Sequence, residues 1–341
     1  MTLTLNRNPF FVLAFAGLLL VAFSLRVQAQ QEGREIEEEQ EKPQGQAALR
    51  VAVNQIRVDV TVQDKDGNLI GGLRQEHFKV YEDKVEQEIT YFSPVEAPMT
   101  AILITEYSRV IPWDWLYEAW NATYLFAEQM RPDDWVAAVA YDIRPEILVD
   151  FTQNKAQVFN ALRRLNSPAF RESNLYDAIW DTLDRIEELD NKVAIILISS
   201  GLDTFSKKNL DETLDKVRKS NAVIYPVSLG GNSRARYDQN YSTSTRMDLY
   251  QADAVLKAFS KYTGGQAFFP RFVQAHPGIF QTISLLLRNQ YALGYISSNT
   301  KKDGKLRKIK VDVVADIDGD GKPDKKFKVR NREGYVVEKA G

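Results

Sequence analysis

The sequence has no cysteine and only two histidines, His77 and His276, among its 341 residues. The lack of cysteine excludes thiol nucleophiles, disulfides, zinc fingers and thiolate-held iron–sulfur clusters. The common hydrolase, phosphate-loop and dinucleotide-binding motifs, G-x-S-x-G, G-x-x-x-x-G-K-[ST] and G-x-G-x-x-G, are absent as well. The formal net charge of -2 leaves no overall basic excess, so we expect no nucleic-acid partner.

The N-terminal residues 1–29 have the pattern of a secretory signal peptide. They contain Arg7, an apolar run from Phe10 to Leu25 and a small-residue end at Val27-Gln28-Ala29. An uncleaved membrane anchor is the alternative, but the run of about 16 residues is shorter than the roughly 20 that span a bilayer. We therefore predict an exported protein, periplasmic or extracellular, with no membrane span once the signal peptide is removed.

Residues 30–49 are rich in glutamate, glutamine, glycine and proline and have little apolar content. The glutamates are Glu32, Glu35, Glu37, Glu38, Glu39 and Glu41. Such a segment buries too little apolar surface to offset the entropy lost on ordering. We predict a disordered acidic linker; an acidic interaction tail is the alternative.

Two flanking regions, residues 50–97 and 291–338, show the period-two pattern of strands with one buried face. Val58, Val60 and Val62 alternate with polar residues in the first flank, and Ile309 and Val311 do so in the second. A few short strands cannot close a core alone. We therefore expect the flanks to be the two halves of one β-sandwich.

Residues 98–290 instead alternate strands with helices. The run Val193–Ser199 is apolar almost throughout, as a strand buried on both faces should be. Helical spacing appears, for example, over Asp253–Tyr262, and a short strand is predicted at Gln266–Phe269. This alternation predicts an α/β unit with a doubly wound, mostly parallel sheet, covered by helices on both faces and inserted into the β-sandwich.

Several segments carry a family resemblance. In the α/β region they are Arg131-Pro132-Asp133-Asp134, Asp150-Phe151-Thr152 and Asn174-Leu175-Tyr176-Asp177-Ala178. In the flanks they are the stretches from Gly72 to Asp83 and from Lys328 to Tyr335. Together these segments resemble von Willebrand factor type A domains, and the flanks resemble a group of exported bacterial proteins called von Willebrand factor A-related. The resemblance implies a Rossmann-like sheet that binds a protein partner in a crevice at the carboxyl ends of its strands.

The resemblance also implies a divalent cation in that crevice, held by a D-x-S-x-S motif, a threonine and a further aspartate. Here Glu106 and Ser108 fill the first two places, Ser173 and Ser200 replace the threonine and the aspartate, and Val110 replaces the second motif serine. The predicted partner-binding crevice, a degenerate metal site, consists of Glu106, Tyr107, Ser108, Ser173, Ser200 and Asp203. One carboxylate and three hydroxyls are a poor cage for Mg²⁺, so we expect no tight magnesium binding. The alternative is that the Asp203 side chain, from the next turn, points into the crevice and completes a metal site.

Aromatic residues lie beside the same crevice. Tyr107, Trp113 and Trp115 stand in the loop and the helix start that follow the first strand of the α/β unit. Exposed, they would be binding anchors; buried, they would be ordinary core residues. The sequence leaves both alternatives open.

A second candidate metal site lies between two strands of the C-terminal flank. Asp316, Asp318, Asp320 and Asp324 alternate with small residues, and Gly321 permits a sharp turn. The pattern matches the start of an EF-hand calcium loop, although Phe327 stands where the final glutamate would be. We predict a shortened calcium loop; a charged hairpin turn is the alternative.

These features predict a non-enzymatic, exported binding protein of the adhesion type, with an unidentified protein partner. A structural component of an envelope assembly is one alternative. A hydrolase is another, but it lacks a histidine near the predicted crevice. His77 lies in the β-rich flank, and we expect His276, at the start of the last helix, to lie at the opposite end of the sheet.

Overall fold

The computed structural model describes residues 55–95, 98–109, 111, 113–165, 170–187, 189, 193–231, 234, 238–316 and 327–337. The predicted signal peptide and the predicted linker lie outside these residues. So do all residues of the predicted calcium loop except Asp316. Within the part that is described, no helix has the length and apolar character needed to cross a membrane.

Strands and helices follow the predicted order. The strands are β1 Gln55–Gln63, β2 Phe78–Glu82, β3 Val85–Gln87, β4 Ile89–Val95, β5 Thr100–Glu106, β6 Trp135–Tyr141, β7 Pro145–Thr152, β8 Val193–Ser199, β9 Val223–Ser228, β10 Gln290–Ile296, β11 Leu306–Val313, β12 Lys328–Arg330 and β13 Gly334–Val336. The helices are α1 Trp113–Gln129, α2 Lys155–Arg164, α3 Leu175–Arg185, α4 Leu210–Lys219, α5 Thr243–Thr263 and α6 His276–Arg288.

A five-stranded sheet with the order β7-β6-β5-β8-β9 forms the centre of the α/β unit. All neighbouring strands are parallel except β7, which runs antiparallel to β6. Every residue of β5, β8 and β9 is buried, because helices cover both faces of the sheet. Phe126 of α1 and Phe280 of α6 pack on one face, and Leu183 of α3 and Phe259 of α5 pack on the other. The prediction of a mostly parallel α/β sheet is confirmed.

Two predicted elements differ from those observed. Helix α5 begins at Thr243, well before the predicted Asp253, and the Ser242 hydroxyl accepts a hydrogen bond from the amide of Thr245 at its start. The sequence pattern did not predict the N-terminal half of α5, because exposed apolar side chains such as Met247 interrupt the helical period there. The predicted strand Gln266–Phe269 is reduced to one parallel bridge between Phe268 and Val227.

The flanking strands pair with one another across the sequence. Two antiparallel sheets, β12-β1-β10-β4 and β13-β11-β2-β3, each contain strands from both flanks. Their inward side chains share one hydrophobic cluster, which includes Val60, Val80, Leu293 and Val311. Strands from residues more than 200 apart in sequence therefore build a common core, as in the pairing of Val60 with Tyr291.

The flanking sheets contact the α/β unit near the amino ends of the central strands. Arg332 donates hydrogen bonds to the carbonyls of Arg218 and Ser220 at the C-terminal end of α4. Gln290, the first residue of β10, follows α6 directly and lies 3.4 Å from the hydroxyl of Tyr225 in β9. The carboxyl ends of the central strands form the opposite edge, which we call the carboxyl edge; the other is the amino edge.

Candidate functional site

Three neighbouring strands of the central sheet end in polar side chains at the carboxyl edge. The last residues of β5, β6 and β8 are Glu106, Tyr141 and Ser199. Glu106 is in register with Tyr141, and Thr105 with Ile198, so the three side chains reach the same level of the sheet. This is where an open α/β sheet places its ligand crevice.

Glu106 is completely buried and lies at the centre of a hydrogen-bond network. One carboxylate oxygen accepts from the Ser108 hydroxyl at 3.2 Å. The other accepts from the Ser200 amide at 2.7 Å and from the Ser199 hydroxyl at 3.4 Å. Burial raises the pKa of Glu106, and the hydrogen bonds from Ser200, Ser108 and Ser199 offset only part of this effect. Among the described residues, Glu106 is in no ion pair.

Tyr141 fills the space beside Glu106. Its side chain is fully buried, and its hydroxyl donates to the Ser199 hydroxyl at 2.8 Å and lies 3.5 Å from a Glu106 oxygen. Burial, followed by the nearby charge of Glu106, raises the pKa of Tyr141 well above its ordinary value. Tyr141 is not among the candidate residues predicted from the sequence. The one available signal was a tyrosine at the end of a strand otherwise rich in alanine and valine.

Ser173 and Asp203 hold the loops at this edge together. The Ser173 hydroxyl donates to the carbonyl of Leu202 at 3.1 Å. Asp203 accepts from the Ser206 hydroxyl at 2.5 Å and from the Tyr176 amide at 3.1 Å, so its carboxylate faces the first turn of α3. Burial raises the pKa of Asp203, against the effect of those hydrogen bonds. The structure thus brings together Glu106, Ser108 and Ser200, while Asp203 is hydrogen-bonded to Ser206 and to the first turn of α3 rather than to Glu106.

The aromatic residues beside the crevice divide between core and surface. Tyr107 is buried and stacks on Trp120 of α1, with ring centroids 5.8 Å apart. Burial, followed by the charge of Asp142, raises the pKa of Tyr107. Trp115 is buried as well, whereas Trp113 is 60% exposed. Of the three aromatic residues singled out from the sequence, only Trp113 could be an anchor.

Further large aromatic side chains are exposed around the carboxyl edge. Two lie in the first two turns of α1, and three lie in the loops that follow β8, precede α3 and precede α6; each is 45–65% exposed. We call this set the aromatic rim: Trp113, Tyr117, Phe170, Phe205 and Phe272. Sequence reasoning missed Phe170, Phe205 and Phe272, although an aromatic residue in a loop between two predicted elements was an available signal.

The residues at Glu106 do not fit a divalent cation. The only carboxylate of the cluster is buried, and both of its oxygens already accept hydrogen bonds. Tyr141 occupies the adjoining space. The described part of the chain contains no group of three His, Cys, Asp or Glu side chains that could hold a metal ion. For the predicted calcium loop, Asp318, Asp320 and Asp324 lie outside the described residues, so that site stays a prediction.

The predicted position of His276 is wrong. Its Nε2 atom lies 3.1 Å from Oε1 of Glu118 in the first half of α1, and both side chains are buried. The last residue of α6, Arg288, pairs with Asp134 at the amino edge. Helix α6 therefore starts on the side of the carboxyl edge and runs back to the amino edge, since the chain must return there to enter β10.

No protein-family model and no curated protein matches the chain. Among solved structures, it is similar to the vWF domain of the type V pili tip protein Mfa5 from Porphyromonas gingivalis, with 14% identity over 57% of this chain and 97% of that one and a TM-score of 0.42. It is also similar to the conserved hypothetical protein BatB from Bacteroides thetaiotaomicron, with 11% identity over 55% and 98% of the two chains and a TM-score of 0.40. An aerotolerance-related membrane protein from Bacteroides fragilis has 12% identity over 55% and 99% and a TM-score of 0.41.

The order and direction of the central strands agree with the doubly wound sheet that the resemblance implied. The α/β unit therefore has a doubly wound, Rossmann-like fold.

Proposed function

We propose that this protein is an exported, non-enzymatic binding protein that contacts a protein partner through the aromatic rim. The observation that carries the proposal is the exposure of five large aromatic side chains around one edge of the sheet. Such side chains are enriched at the energetic centres of protein interfaces, and exposed apolar clusters mark interaction sites. The rim also lies at the edge of the α/β unit away from its contacts with the flanks, where a partner has access.

Burial of the polar groups favours binding over hydrolysis. A general acid or base must come within hydrogen-bond reach of its substrate. Glu106 and Tyr141 are fully buried, and so is His276 with its partner Glu118. These groups are packed into the protein rather than presented to a substrate, which supports a role without chemistry.

We further propose that the flanks form a β-sandwich into which the α/β unit is inserted. The shared hydrophobic cluster and the pairing of strands from both flanks support this arrangement. In such a design the sandwich is the scaffold and the rim is the contact surface. If the protein is instead a structural component of an envelope assembly, the contact surface would lie on the flanks.

Capture of partners from a cell-envelope extract separates these alternatives. We expect the immobilised protein to retain a specific partner, with or without chelator. The variant Trp113→Ser/Phe170→Ser/Phe205→Ser should lose it. The matched control Val85→Ser/Tyr91→Ser/Val314→Ser changes three exposed apolar residues of the flanks and should keep it. Both variants must first be shown to melt like the unmodified protein.

Loss of the partner from the flank variant but not from the rim variant would favour the structural role. A partner retained equally by all three proteins, or none retained by the unmodified protein, would contradict the proposed contact surface.

A further inference from the structure

We infer that the rim binds an acidic, apolar segment of its partner, whose carboxylates are held by Arg109, Arg144 and Arg171 without a metal ion. This inference rests on the proposed function and adds the chemical class of the partner. We call the three residues the arginine trio. Arg109 follows β5, Arg144 lies in the turn between β6 and β7, and Arg171 precedes α3. All three side chains are exposed at the carboxyl edge.

Backbone hydrogen bonds join the three loops that carry the trio. The amide of Arg109 donates to the carbonyl of Phe170 at 2.7 Å. The amide of Asn174 donates to the carbonyl of Asp142 at 2.8 Å, and its side chain donates to the carbonyl of Ile143 at 2.6 Å. The three arginines therefore extend from one connected platform rather than from independent loops. A preformed platform loses less entropy on binding than three mobile loops would.

The charges of the trio are not neutralised by side-chain ion pairs. No ion pair within the described part of the chain includes Arg109, Arg144 or Arg171. The acids on the same loops are Asp142 and Glu172, and the Glu172 carboxylate is engaged by the Arg171 amide at 2.9 Å. On these three loops, three guanidinium groups therefore stand against two carboxylates.

The surroundings of Phe170 indicate that the partner segment must also carry an apolar side chain. Phe170 is 45% exposed, directly precedes Arg171 and is bonded through its carbonyl to Arg109. A guanidinium binds a carboxylate through two parallel hydrogen bonds, and it binds more specifically than a lysine ammonium. A segment in which acidic and aromatic side chains alternate can place carboxylates on the trio and an apolar side chain on Phe170.

Binding of this kind needs no divalent cation. The guanidinium groups supply the positive charge, whereas Glu106 of the degenerate metal site is buried beneath the edge, and Asp203 is hydrogen-bonded to Ser206 and to the amide of Tyr176. Exposed charge pairs are screened by salt. We therefore expect the affinity to be insensitive to chelator and to fall as the ionic strength rises.

The test uses a short fluorescein-labelled peptide of alternating Glu and Phe residues, and the same peptide with Gln in place of Glu. Binding to the protein is measured by fluorescence anisotropy with and without chelator. We expect the Glu peptide to bind more tightly than the Gln peptide. The variant Arg109→Gln/Arg144→Gln/Arg171→Gln should bind the Glu peptide about tenfold more weakly, because it loses the free energy of three exposed ion pairs.

A charge-matched control removes three exposed lysines from the flanks. Lys302→Gln/Lys305→Gln/Lys328→Gln lowers the net charge by the same amount and should leave the affinity within about twofold of the unmodified protein. Both triple variants should show the same melting temperature as the unmodified protein, because none of the six side chains is buried.

The inference is overturned if the two peptides bind equally, if no binding is seen up to millimolar peptide, or if the flank control weakens binding as much as the trio variant does. It is also overturned if binding disappears with chelator. Its failure is distinct from failure of the proposed function. If the rim variant loses the envelope partner while the Glu peptide does not bind, only the acidic class is wrong.

Discussion

The two edges of the central sheet each bury a carboxylate, but only one of them pairs it with a cation. At the amino edge, Asp134 accepts hydrogen bonds from the amides of Arg131 at 2.6 Å and Met99 at 2.8 Å, and lies 2.5 Å from the guanidinium of Arg288. At the carboxyl edge, Glu106 accepts from the Ser200 amide and from hydroxyl groups.

The difference appears in the direction of the two pKa shifts. Burial is the largest effect on both groups and favours the neutral acid. At Asp134 the hydrogen bonds from Arg288, Met99 and Arg131 outweigh burial, so the pKa is lowered. At Glu106 burial dominates and the pKa is raised. The amino edge thus stabilises the charged carboxylate, whereas the carboxyl edge destabilises it.

This contrast indicates different roles for the two edges. The Asp134–Arg288 pair joins the start of β6 to the end of α6, directly before the chain enters the flanking strand β10. It lies on the side of the sheet that contacts the flanks. The edge around Glu106 lacks such compensation and is surrounded by the exposed aromatic rim. At functional sites, proteins commonly keep a buried ionisable group without a compensating partner.

The largest expected effect comes from breaking the pair at the amino edge. Asp134→Ala should lower the free energy of unfolding by about 3–5 kcal/mol at neutral pH, because it leaves the largely buried Arg288 without its partner. Urea denaturation measures this loss. The neighbouring exposed Asp133 provides the control, since Asp133→Ala should change stability by no more than about 0.5 kcal/mol. Similar small losses in both variants would show that the pair is not a stabilising joint.

The second expected effect has the opposite sign and depends on pH. The folded-state pKa of Glu106 is raised, so its contribution to stability is fully present below the unfolded pKa of about 4.3 and is lost as pH rises through the folded pKa. Glu106→Gln keeps the shape and cannot ionise. We expect the variant to become more stable relative to the unmodified protein as pH rises, because only the unmodified protein must ionise a buried carboxyl group.

Urea denaturation of both proteins between about pH 4 and about pH 8 tests this expectation. Asp134→Asn should behave in the reverse way. The lowered pKa of Asp134 gives stability that is present above the unfolded pKa and lost as pH falls through the folded one, so the deficit of the variant shrinks toward acid pH. A constant difference between Glu106→Gln and the unmodified protein across this range would mean that folding does not shift the pKa of Glu106, and the contrast between the edges would fail.

The sequence predicted those elements whose signal is local. The apolar run Val193–Ser199 is strand β8 with the same bounds, because burial on both faces leaves a continuous hydrophobic pattern. Glu106, Ser108 and Ser200 were placed together by the motif that the family resemblance implied, and all three lie at the carboxyl ends of β5 and β8. The start of α5 was missed because exposed apolar residues weaken the helical period there.

Features that depend on contacts between distant residues could not be predicted. Asp134 and Arg288 are 154 residues apart, and nothing in either local pattern indicates their pairing. The burial of Glu106 depends on Tyr141, and the local sequence does not distinguish Tyr141 from the other buried residues of its strand. The error over His276 arose in the same way, since the direction of α6 is fixed by where the chain must enter β10.

The smallest expected effect concerns divalent cations, which should act at the predicted calcium loop and leave the carboxyl edge unchanged. For an affinity of about 10⁻⁴ M, millimolar calcium should stabilise the protein by roughly 1.4 kcal/mol, which a thermal melt detects as a small rise in melting temperature. Magnesium should raise the melting temperature less, because it demands tighter octahedral geometry.

The rise should persist in Glu106→Gln and disappear in Asp318→Asn/Asp320→Asn, which removes two charges and keeps the side-chain shape. Equal melting temperatures with calcium and with chelator would mean that the loop is only a turn. A rise that survives in the loop variant but is lost in Glu106→Gln would place a cation at the carboxyl edge, and the two edges would then both be charge-compensated.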